Sequence, residues 1–83
     1  MKKKRIVIDI SIEEDSKLEE NSSLCGLKTK VSFIREALAA YYWMIEQKQL
    51  GKNIFSQEPG KNLITQLESL ALRNVPLKIQ KDK

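Results

Sequence analysis

The first dozen residues constrain this chain most. In KKKRIVIDISI, Lys2 to Ile12, four cations run into a strict alternation. Ile6, Ile8, Ile10 and Ile12 fall on one face of an extended strand, and Arg5, Val7, Asp9 and Ser11 on the other. A strand's backbone donors and acceptors need a partner along at least one edge. The remainder of the 83 residues holds no second strand of comparable quality, and a chain this short buries only roughly 60% of its unfolded surface. The missing partner is therefore expected from a second copy of the same chain.

Two helices should follow. In SIEEDSKLEENSSLCGL, Ser11 is placed to cap a helix whose first turn carries Glu13, Glu14 and Asp15, where the helix dipole favours acid. Ile12, Leu18, Leu24 and Cys25 make only a thin apolar stripe, and Asn21, Ser22 and Ser23 are poor helix formers, so this helix should be short and weak. Gly26 suits its left-handed C-terminal residue, with Leu27 folding back. The stretch TKVSFIREALAAYYWMIEQKQ gives the strongest helical signal. Val31, Ile34, Leu38, Tyr41 and Ile45 recur at steps of three and four, and Phe33, Ala37, Ala40 and Met44 widen the stripe. Thr29 is the natural N-cap, and Leu50 and Gly51 end the helix. Its apolar face is wider than one thin neighbour covers, which again calls for a partner subunit.

Beyond Gly51 the pattern is weaker. EPGK, Glu58 to Lys61, reads as a type II turn centred on Pro59 and Gly60. Leu63, Ile64, Leu67, Leu70 and Ala71 fit a third short helix within Lys61 to Arg73, although NIFSQ and NLITQ on either side of the turn also suit a small hairpin; the helix is the expectation. The tail VPLKIQKDK has no periodic face. The implied organisation is residues 1–50 as the main domain, 51–74 as a C-terminal extension and 75–83 as a flexible tail.

Fifteen Lys and Arg stand against eleven Asp and Glu, a net +4 that doubles to +8 in a pair of chains. Such a surplus suits an anionic partner, nucleic acid first. Cations gather at Lys2 to Arg5 and at Lys28 and Lys30, whereas Glu13 to Glu20 is acidic and should be a solvated face. Cys25 is the single cysteine and histidine is absent, so neither an intrachain disulfide nor a soft-ligand zinc site is available, which favours a reducing, cytoplasmic compartment. Cys25 itself should be a small buried apolar residue. No run is long and apolar enough for a membrane span, and no signal-peptide pattern is present, so a soluble chain without membrane partners is expected. With no histidine, no glycine-rich phosphate loop and no carboxylate pair in an apolar setting, neither an enzyme nor a cofactor is expected.

The order basic arm, alternating strand, short helix, glycine turn, Thr cap and long helix resembles the ribbon-helix-helix (Arc and methionine-repressor-like) family of bacterial DNA-binding proteins. The likeness covers about Lys3 to Glu46, with KKRIVIDIS and TKVSFIREALAAYY as its closest parts. It implies an α+β, mostly helical homodimer in which two N-terminal strands form an intermolecular antiparallel ribbon that enters the DNA major groove, here with a short C-terminal helical extension. The core of that dimer would be Ile6, Ile8, Ile10, Leu18, Ile34, Leu38, Tyr41 and Ile45. Base edges would be read by Arg5, Val7 and Asp9, of which Val7 and Asp9 depart from the polar or basic residues usual in the family. Arg grips guanine bidentately, valine methyls meet the thymine methyl and Asp accepts from the cytosine amino group. Phosphates would be held by Lys2, Lys3 and Lys4 and by the start of the long helix, Lys28, Thr29, Lys30 and Val31. The role implied is a transcriptional repressor. An antitoxin that pairs the same fold with a toxin-binding C-terminal segment, and an interaction module that binds no DNA, are the alternatives. The aromatic run Tyr41 to Trp43 is more readily core than a base-stacking platform.

Overall fold

A computed structural model of the protein describes residues 2–78. The elements in order are α1 (Ile12–Leu24), α2 (Lys30–Gln49), β1 (Phe55–Gln57), β2 (Ile64–Gln66) and α3 (Leu70–Arg73). About half of the chain is helical and the two strands form one antiparallel sheet, an α+β composition. The chain divides into two compact units, Met1–Glu36 and Ala37–Lys83, with the boundary inside α2.

In the first unit, Lys2–Ile10 forms no helix or strand within the chain and is exposed throughout. The Ser11 hydroxyl then accepts the N–H of Glu14 at 3.0 Å and starts α1, whose first turn holds Glu13, Glu14 and Asp15 as the dipole favours. The helix runs 13 residues, through the poor helix formers Asn21, Ser22 and Ser23, between the Ser11 cap and the Gly26 stop as expected. Leu27 N–H donates to the Ser22 carbonyl at 2.9 Å and Gly26 N–H to that of Ser23 at 3.0 Å, a Schellman closure that needs the positive φ of +70° at Gly26. The Asn21 amide also donates to the Lys17 carbonyl at 2.8 Å. Thr29 caps α2, accepting the Ser32 N–H at 3.0 Å and donating to the Ser32 hydroxyl at 2.9 Å. Among the described residues no apolar side chain of this unit is buried.

In the second unit α2 ends in the same manner, with Gly51 N–H donating to Lys48 O and Lys52 N–H to Gln47 O, both at 3.0 Å. The expected third helix is not formed. Residues 55–66 make a hairpin in the register Phe55 to Gln66, Ser56 to Thr65 and Gln57 to Ile64, and only Leu70–Arg73 is helical, a single turn capped by Ser69. The C-terminal extension is therefore a hairpin with one helical turn. The turn decides the outcome. Pro59 and Gly60, the latter at φ +79°, let Lys61 N–H reach the Glu58 carbonyl at 3.1 Å. The Gln57 side-chain amide donates to the Lys61 carbonyl at 2.8 Å and Leu67 N–H to that of Ile54 at 2.7 Å. Asn62 and Thr65 are poor helix formers, and an isolated helix of about a dozen residues is marginal in water. Leu72, at 3% exposure, is the one buried hydrophobic side chain among the described residues. Lys78 N–H donates to the Gln49 carbonyl at 2.9 Å, and residues 79–83 of the expected tail lie outside the described residues.

Candidate nucleic-acid interface

The arm presents both its faces to solvent. Ile6 is 82% and Ile8 72% exposed, and Arg5, Val7 and Asp9 are exposed beside them. Among the described residues Lys2 to Arg5 and Asp9 enter no ion pair or side-chain hydrogen bond. Ile10, Ile34, Leu38 and Tyr41 are exposed as well, and Leu18 and Ile45 are half-buried. Burying one such side chain fully contributes about 1.5–3 kcal/mol. Among the described residues a single apolar side chain is buried, so these exposed positions retain apolar area whose burial would add stability of that order.

Lys28, Thr29, Lys30 and Val31 meet at the N-terminus of α2, where they line an open cleft of about 1000 Å³ together with Glu19, Glu20 and Leu27. The N–H groups of Lys30 and Val31 have no acceptor among the described residues, as the start of a helix dictates, and with the dipole they form an electropositive point. The Lys30 ammonium is engaged: its Nζ lies 2.6 Å from Asp15 Oδ1 in the first turn of α1. That hydrogen bond raises the Lys30 pKa above its ordinary 10.5; desolvation opposes, and the charges of Asp15 and Glu19 add to the rise. The acidic face and the basic helix start thus meet, a pairing that sequence reasoning missed. Fifteen residues separate the partners, and the only signal was acid in the first turn of one helix and base at the start of the next.

Cys25 is exposed at the α1 C-cap, against the expectation that it is buried, because the closing turn leaves the helix end open to solvent. Ser22 is buried and its hydroxyl has no partner among the described residues. Tyr42 and Trp43 are both exposed on α2. Among the described residues no group of three or more His, Cys, Asp or Glu is arranged to hold a metal, and no helix is long and apolar enough to cross a membrane. Comparison of the chain with models of protein families, with curated proteins and with solved structures gave no match.

Proposed function

We propose that the protein is a sequence-specific DNA-binding regulator that acts as a homodimer, its two N-terminal arms pairing into a β-ribbon that reads the major groove. The observation that carries this reading is the arm: four consecutive cations lead into alternating isoleucines whose exposed face and free backbone have no partner within Lys2–Ile10. An exposed isoleucine face beside unpaired strand edges is a template for a second chain. Once the isoleucines are covered by pairing and by the α2 stripe, Arg5, Val7 and Asp9 of both chains project from the opposite face, six side chains near a two-fold axis. The helix start at Lys28 to Val31 then supplies a phosphate contact on each protomer. Repression would follow from occupancy of a promoter.

Selection from random duplexes, followed by binding of the chosen site at 50 and 200 mM salt, tests the reading. If the arm and helix cations of two chains neutralise roughly 6 to 10 phosphates, affinity falls by about 10³ to 10⁵ between those salts. Salt-insensitive binding, or no preferred site, contradicts it.

A second reading, an antitoxin, is favoured by a separate observation. The C-terminal unit holds its own hairpin, and Phe55, Leu63, Ile64 and Leu70 are exposed on it. These side chains belong to the C-terminal unit and not to the arm, so a toxin contact there would use other residues than the DNA contact. Co-purification of a small partner through residues 51–78, lost when they are removed, would support it.

A further inference from the structure

The ion pair between α1 and α2 sits where the proposed phosphate contact needs a free cation. Asp15 Oδ1 lies 2.6 Å from Lys30 Nζ, and Lys30 opens α2 beside two N–H groups with no acceptor among the described residues. A carboxylate and a phosphate oxygen offer an ammonium the same kind of partner, an anionic acceptor at hydrogen-bond distance. The two side chains are 42% and 44% exposed, so a ligand can reach both. An exposed pair of this sort holds weakly and exchanges partners readily.

We propose that Asp15 is an intramolecular gate on Lys30, occupying its ammonium in the free protein and giving it up when the start of α2 takes a DNA phosphate. The inference rests on the DNA-binding reading. Two consequences follow from charge balance. The bound protein carries a liberated carboxylate near a phosphate, which repels it, so affinity is lower than the count of cations implies. That carboxylate also draws a solution cation back as Lys30 releases one from the DNA, so the salt dependence is shallower than the count implies.

A double-mutant cycle separates the gate from a simple change of charge. Asp15→Asn should tighten DNA binding by about two- to five-fold per protomer at low salt and steepen the plot of log affinity against log salt by up to about one per protomer. The same change in a Lys30→Ala background should do no more than Glu13→Gln, which removes an equal charge from the same turn without touching Lys30. In the parent protein, whose folding is not in question, the carboxyl carbon of Asp15 should shift in the NMR spectrum when duplex is added. Weaker binding by Asp15→Asn would make the pair a strut between the helices and overturn the gate. Equal effects of Asp15→Asn in both backgrounds, or an Asp15 carboxyl signal unmoved by duplex, also overturn it while leaving DNA binding intact. Failure of the parent to bind any duplex removes the DNA-binding reading and the gate together.

Discussion

The N-terminal arm and the C-terminal hairpin are both short segments able to form strands, and they end differently. RIVIDIS is the better strand by composition, with three isoleucines in strict alternation, yet it pairs with no strand among the described residues. IFSQ and ITQL are poorer strands, and they pair in register. The difference lies in the connection. Six residues containing Pro59 and Gly60 bring β1 and β2 together at small entropic expense, whereas no turn of that kind joins the arm to a neighbouring strand in sequence, where α1 follows directly. A good strand without a local partner is a statement about assembly, and a fair strand with a good turn is a statement about local folding.

Breaking each side of this comparison should give effects of different size and kind. The largest is expected from Ile8→Lys. If two copies of Ile8 are buried in a ribbon, the change costs about 3–6 kcal/mol per dimer, and a melting temperature that rises with concentration in the parent should no longer do so. The matching change Ile64→Lys, on an exposed strand position, should cost under about 1 kcal/mol and leave that concentration dependence alone. Next in size is Gly60→Ala. A side chain at φ +79° is strained, so the hairpin should lose about 1–2 kcal/mol. Hydrogen exchange at the Leu67 amide, bonded to Ile54 O, should accelerate accordingly while exchange in α1 does not.

These contrasts also show what the residues made legible. The caps were: Ser11, Gly26, Thr29 and Gly51 each stand where a local hydrogen-bond rule puts them, and the EPGK turn forms as its two central residues require. The fate of Leu63 to Ala71 was not, because their spacing satisfies a helix while the Pro59–Gly60 turn offers the same residues a paired strand, and tertiary closure outweighed periodicity. Of the candidate site, the residues at the α2 start were brought to one cleft. The engagement of Lys30 by Asp15 was not read, since acid in the first turn of one helix and base at the start of the next do not by themselves pair positions fifteen apart across a turn.

Smaller effects sharpen the account of the first unit. The Lys30 pKa is raised in the folded state, so wherever Asp15 is ionised their pair stabilises fully below pH 10.5 and its contribution disappears as pH climbs through the higher folded value. Thermal melts of the parent and Asp15→Asn should therefore converge above pH 10.5 and differ by a constant small amount at neutral pH. Smallest of all is Ser22→Ala. Removing a buried hydroxyl that has no partner among the described residues should leave stability unchanged or raise it by less than about 1 kcal/mol in denaturant unfolding.

The claim on which the rest depends is that the arm's partner is another arm. An isotope-filtered NOE spectrum of a mixture of labelled and unlabelled chains reads this directly, since only contacts between chains survive the filter. Contacts linking Ile6, Ile8 and Ile10 of one chain to the same segment of the other, in antiparallel register, are expected. Arm signals at random-coil shifts with no contacts between chains, in a protein that is otherwise folded, would contradict it.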